Sequence, residues 1–187
     1  MKELRLFIAL TLPEAALEAL EAIQTGLPDV RWTPVSQMHL TLKFLGDVPD
    51  LVAEEMAGAI QEIRRPAMEL RLSGLAHFSQ KKAFPVLWAA VEPEDPVLDL
   101  HANVERFCGE RGLARDKRRF RPHITLGRMK KNHPRRLHEY LELHHGFCST
   151  AFFCDHLALF SSQLTPSGAH HEILGSVLLR KDSDQDS

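Results

Sequence analysis

Apolar positions along this chain of 187 residues fall into two rhythms. Alternating or continuous apolar runs of strand length recur at residues 4–12, 38–45, 68–78, 85–91, 120–129, 147–160 and 171–179. Between them, apolar residues spaced three and four apart predict four helices. The first opens at Thr11 and Glu14, which have capping-box spacing, and runs to about Gly26 on the stripe Ala16, Leu20, Ile23. The second covers about residues 50–64 on Val52, Met56, Ala59 and Ile63, and the third about 96–111 on Val97, Leu100, Val104 and Phe107. The fourth starts near Asn132 and carries Leu137 and Leu141. Residues 181–187 are polar throughout and are expected to form a disordered tail.

The order of these elements repeats. A shift of 84 residues carries His39 onto His123, the first helix onto the third and the second onto the fourth. Each half reads α-β-α-β-β, with one additional strand at the N-terminus. The pattern predicts an α+β fold: one bilobal domain over residues 1–180, whose pseudo-symmetric lobes come from repeats at about 13–92 and 96–179. Their antiparallel sheets are expected to face a central cleft.

The halves agree best at His39-Leu40-Thr41-Leu42 and His123-Ile124-Thr125-Leu126. Side chains alternate along a strand, so each His shares a face with its Thr while Leu40, Leu42, Ile124 and Leu126 take the core face. One histidine on such a strand reads as a satisfied core residue. Two copies at matched positions, brought together by the pseudo-symmetry, read as a site. Displacement at phosphorus is in line, and it needs a base on one side and an acid on the other. Imidazole, titrating near neutrality, fills either role without a metal. Threonine hydroxyls can donate to the non-bridging oxygens. Strand parity adds Lys43 and Arg121 to the cleft face, Arg121 as a bidentate phosphate ligand. Arg128 should point away unless Gly127 permits a bulge, and Phe44 has the parity of the core leucines.

Composition narrows the class. Hydrophobic residues make up 44% and charged residues 26%, a soluble globular profile with no apolar run long enough to span a bilayer. The N-terminus lacks the pattern of a signal peptide. Cys108, Cys148 and Cys154 form no CxxC pair, which suits reduced thiols in the cytoplasm. The net charge of −2 conceals a basic band: eleven of the 23 Lys/Arg residues, and one acid, Asp116, lie between Arg111 and Arg136. Such a band on an acidic body suits a polyanion such as nucleic acid. The pairs His144-His145 and His170-His171 are poorly spaced to ligate a metal together. With no HExxH or Cys/His cluster, neither metal nor cofactor is expected.

These motifs resemble the 2H phosphoesterase superfamily. The surroundings Arg31-Trp32, His39 to Gly46 and Phe120 to Leu126, the opening run Leu4 to Leu10 and the strand Val86 to Ala90 resemble its RNA 2′,3′-cyclic phosphodiesterase branch, also called the 2′-5′ RNA ligase family. The resemblance implies opening of RNA 2′,3′-cyclic phosphate ends to 2′-phosphates, with reversible 2′-5′ joining of some RNA ends; a monomer is expected. It implies His39 as proton donor, His123 as proton acceptor, and Thr41 and Thr125 as phosphate contacts. The residues alone leave the direction of the histidine pair open. His171 stands about where the family has an aromatic residue after a Gly-containing turn, and Lys43 and Arg128 join it as candidate substrate contacts. Gly127 replaces the more usual alanine. Two alternatives keep parts of this picture: a phosphodiesterase acting on 2′-5′ oligoadenylate or ADP-ribose cyclic phosphate, and a non-catalytic RNA-binding module.

Overall fold

The computed structural model describes residues 3–80, 83–165 and 168–180; the tail expected at 181–187 lies outside them. Strands β1 (Glu3–Thr11), β2 (Val30–Trp32), β3 (His39–Pro49), β4 (Met68–Gln80), β5 (Ala83–Glu92), β6 (His123–Met129), β7 (Phe152–Cys154), β8 (His156–Thr165) and β9 (Gly168–Leu178) alternate with helices α1 (Glu14–Glu21), α2 (Asp50–Ala59), α3 (Asp95–Glu110) and α4 (Pro134–Leu143). The strands form an antiparallel sheet in the order β7-β4-β5-β6-β3-β1-β8-β9, with β2 paired to β6. This is a mixed α+β fold.

The sheet divides at its centre, where β3 and β6 meet through one residue pair, Leu40 opposite Ile124. Its halves do not coincide with the two sequence repeats. β3, from the first repeat, sits with β1, β8 and β9; β6, from the second, sits with β4, β5 and β7. Each repeat therefore lends its motif strand to the half built mainly by the other.

One face of the sheet carries the main core. Leu40, Leu42, Ile124 and Leu126 are buried there to 2% exposure or less, together with Leu6, Ile8 and Leu10 of β1 and the stripes of all four helices. Burying each of these side chains stabilises the fold by about 1.5–3 kcal/mol. They also lock the register, because a one-residue slip would drive His39 and His123 into the core. The α2 helix lies against β9, and the approach is close: a Cβ on Gly175 would stand 2.5 Å from the Ala57 carbonyl oxygen. The opposite face holds a small separate cluster of Phe7, Ala9, Ala158 and Phe160.

Helix starts differ from the sequence expectation. Thr11 ends β1 opposite His39, and Pro13 occupies the N-cap of α1 without a side-chain cap, so no capping box forms. The strand's demand for Thr11 overrides the local capping preference.

Candidate active site

The pair Leu40–Ile124 sets the geometry of both motifs. Continuing its antiparallel register by one residue each way sets His39 against Thr125 and Thr41 against His123, all on the face opposite the core leucines. Each imidazole is then tied by its backbone in the same manner. Nδ1–H of His39 donates to the Gln37 carbonyl (2.8 Å), and Nδ1–H of His123 donates to the Arg121 carbonyl (2.7 Å). A carbonyl can only accept, so Nδ1 carries the hydrogen in both rings and each neutral ring keeps its Nε2 lone pair free.

The two histidines stand in different surroundings. His39 stacks on Phe7 at 4.7 Å between centroids, with Phe160 at 5.8 Å and the edge of His171 at 5.4 Å. Burial, then the charges of His171 and His123, bring its pKa down to about 4 against the opposing pull of the Gln37 carbonyl. His123 meets Phe78 edge-on at 5.0 Å and Trp88 at 5.8 Å, and burial lowers its pKa too. Both rings are thus held neutral near pH 7 in the free protein.

A cleft of about 430 Å³ opens beside His39. Thr41, Thr125, Arg128 and His171 line it, joined by Arg5, Arg31, Phe44 and Ser162. Five of the residues singled out in the sequence (His39, Thr41, Thr125, Arg128, His171) therefore come together, and the arginines make the lining cationic. Among the described residues, no group of three or more His, Cys, Asp or Glu side chains gathers as metal ligands.

Bulges change the parity at two places. The β1–β3 register shifts between Ile8 opposite Lys43 and Ala9 opposite Thr41, leaving Leu42 as the extra residue. Beyond it the faces exchange. Lys43, expected in the cleft, is 3% exposed on the core side, where its Nζ holds Glu105 at 2.6 Å and the Ala114 carbonyl at 2.8 Å. Phe44, expected in the core, is 59% exposed and lines the cleft.

The same event recurs 84 residues on. Leu87 faces Gly127 while Trp88 faces Thr125, so Leu126 is extra and Arg128 turns into the cleft, the outcome foreseen if Gly127 allowed a bulge. The bulge carbonyls are satisfied in kind, Leu42 by Nδ1–H of His101 (3.0 Å) and Leu126 by the Gln24 amide (3.1 Å) and the Thr33 N–H (2.8 Å). Gly127 also admits β2, since a Cβ there would lie 2.9 Å from the Arg31 carbonyl oxygen.

Arg121 departs from expectation as well. It precedes β6, so strand parity does not govern it; its side chain is exposed and absent from the cleft lining, and its carbonyl positions His123. Sequence reasoning missed Arg5, Phe7, Phe78, Trp88 and Phe160. In β1 apolar residues occupy both faces, so alternation gave no signal there.

The geometry agrees with comparison to known proteins. The 2′-5′ RNA ligase superfamily matches residues 11–165. An RNA 2′,3′-cyclic phosphodiesterase of Thermus thermophilus is 33% identical over 95% of this chain and 91% of its own length. One of Thermotoga maritima is 29% identical over 91% and 93%. The crystal structure of TT0787 from Thermus thermophilus superposes with a TM-score of 0.73 at 29% identity, covering 95% of this chain and 99% of that one. The chain belongs to the 2′-5′ RNA ligase superfamily.

Proposed function

We propose that this protein hydrolyses RNA 2′,3′-cyclic phosphate ends to 2′-phosphate ends without a metal, His39 acting as the acid and His123 as the base. The observation that carries the reading is the matched pair of imidazoles, each held by a carbonyl at Nδ1 and free at Nε2, flanking one seam of the sheet. Water attacks phosphorus opposite O3′, giving its proton to one Nε2 while the other protonates O3′ as the P–O3′ bond breaks. The threonine hydroxyls donate to the non-bridging oxygens, and Arg128 offsets their charge.

The surroundings favour one direction. O3′ stays on the ribose, so the acid's side must hold a nucleoside and the RNA behind it, whereas the base's side need hold only water. The cleft of about 430 Å³ is lined by His39 and not by His123, so the room for a nucleoside lies on the His39 side. The names of the relatives favour the same substrate. Joining of a 5′-hydroxyl to the cyclic phosphate would use the same two groups, with an alcohol in place of water.

Incubating the protein with RNA ending in a 2′,3′-cyclic phosphate should give a 2′-phosphate terminus at a rate indifferent to EDTA. His39→Ala and His123→Ala should each lower turnover by about a hundredfold or more. A 3′-phosphate product, or loss on chelation with rescue by a divalent ion, would end the proposal.

A further inference from the structure

Beyond His39 the cleft face of the sheet continues as a row of hydrogen-bond donors. Ser162 of β8 pairs with His171 of β9, and the β1–β8 register, continued by one residue from Leu6 opposite Ser161, sets Arg5 against Ser162. Cross-strand partners share a face, and all three side chains line the cleft. Among the described residues, none of the three side chains makes a hydrogen bond or ion pair within the protein. Nδ1 of His171 is buried without a partner, which leaves Nε2 as the nitrogen that can reach a ligand. No carboxylate among the described residues lines the cleft; Asp47, paired with Arg5 across β1 and β3, is exposed outside it.

The other half of the sheet has no such row. From Thr41 the same-face residues of the partner strand run Ala9, Phe7, Arg5; from Thr125 they run Trp88, Val86, Phe84. One series ends on a guanidinium and the other on a ring. The asymmetry falls on the side of His39, whose ring lies 5.4 Å from that of His171. Under the function proposed above, on which this inference rests, the ribose lies on that side with O3′ at His39. A phosphate on its O5′ then sits about one ribose away from the reacting phosphate, where the row stands.

We propose that Arg5, Ser162 and His171 form a second phosphate subsite, which takes the phosphate on O5′ of the nucleoside whose 2′,3′-cyclic phosphate is opened. The guanidinium supplies charge and paired donors, and the hydroxyl and the imidazole supply one donor each. The cleft of about 430 Å³ has room for about one nucleotide, so the strand beyond that phosphate leaves it. The subsite makes the preferred substrate a cyclic phosphate end that carries a 5′-phosphate, over a bare cyclic nucleoside.

Three substrates test this: cytidine 2′,3′-cyclic phosphate, the same nucleotide bearing a 5′-phosphate, and the dinucleotide in which a second cytidine is esterified to that phosphate. The readout is the ratio of kcat/KM with and without the 5′-phosphate, taken on one enzyme sample, so loss of active enzyme cancels. In the wild type the ratio should be about tenfold or more at low salt. Arg5→Gln, Ser162→Ala and His171→Phe should each lower it, Arg5→Gln to within about threefold of unity. Arg71→Gln, which removes an exposed charge paired with Glu92 on the far part of the sheet, should leave it unmoved. A gain shared by the dinucleotide identifies the internucleotide phosphate of RNA as the ligand, and a gain confined to the monoester identifies a terminal phosphate. A wild-type ratio near one, or a ratio that Arg5→Gln and Arg71→Gln change equally, overturns the subsite while leaving hydrolysis intact. A wild type that opens no cyclic phosphate instead removes the proposed function, and the subsite with it.

Discussion

His39 and His123 are histidines by sequence, but their working properties come from what surrounds them. With a pKa near 4 against an ordinary 6.5, His39 resists protonation in the folded chain and accepts it freely in the unfolded one. Stability is therefore whole above about pH 6.5, falls as pH drops towards about 4, and changes no further below that, for a total of roughly 3 kcal/mol. His39→Gln should make the pH dependence of urea unfolding shallower in that window; an unchanged slope would contradict the burial described. The kinetics should follow the same directions. The proposed acid–base division needs one protonated ring, and both pKa values are lowered in the free protein. The alkaline limb of kcat/KM should accordingly fall below 6.5, while the bound phosphodiester anion moves the limb of kcat upward. A kcat/KM level from about pH 6 to 9 would refute this. At this scale the shared face of His39, Thr41, His123 and Thr125 was legible because residue type and strand period agree there. Lys43, Phe44 and Arg121 were not, because parity ceases to apply at a bulge or outside a strand.

Elements explain why the motif strands hold still. Each bulge turns one further residue into the cleft, Phe44 in one half and Arg128 in the other, and each exposes a carbonyl that another element satisfies. Lys43 is the fastening on the first half, joining β3 to Glu105 of α3. Removing one partner of a buried pair leaves the other charge stranded, at about 3–5 kcal/mol. Lys43→Met should therefore lower the Tm markedly, and adding Glu105→Leu should recover most of the loss. Hydrolysis of a cyclic mononucleotide by folded Lys43→Met should keep its KM; a raised KM with unchanged Tm would return Lys43 to the substrate site. The helices were legible to within a few residues because their apolar stripes are buried as spaced: Val97, Leu100, Val104 and Phe107 in α3, Ala16, Leu20 and Ile23 along α1 and just beyond it. β2 escaped notice, since three residues are too few to show a period. The expected strand over 147–160 is split at Asp155 into β7 and β8, which join different neighbours.

The whole molecule places its charge around the seam between β3 and β6. The repeat was legible in the spacing of the elements; the exchange of motif strands between the sheet halves was not, because spacing along a chain does not say which strands pair. That exchange puts β6, with basic residues on both flanks, at the centre of the sheet. Arg118 and Arg119 precede it and Lys130 and Lys131 follow it, all four exposed, with Arg118 paired to Asp116 at 3.2 Å and Lys131 to Asp29 at 3.4 Å. Surface pairs of this kind are worth little and yield readily to a phosphate. None of the four lines the cleft, whereas Arg128 does. Under the proposed function, an RNA whose last phosphate sits between the histidines would have its upstream backbone outside the cleft, where this band can meet it. Replacing all four with Gln should raise KM for an oligonucleotide cyclic phosphate about tenfold at low salt, and reduce the slope of log affinity against log salt by up to about 0.7 for each phosphate no longer neutralised. Cytidine 2′,3′-cyclic phosphate, too short to reach the band, should be turned over as before. Arg128→Ala should instead slow both substrates, because an interaction at the reacting phosphate is made whatever the chain length. Steady-state kinetics on the two substrates at two salt concentrations separates these effects: equal damage to the mononucleotide from the four flanking changes would mean that the band supports the fold or the cleft, and that the RNA leaves the site by another surface.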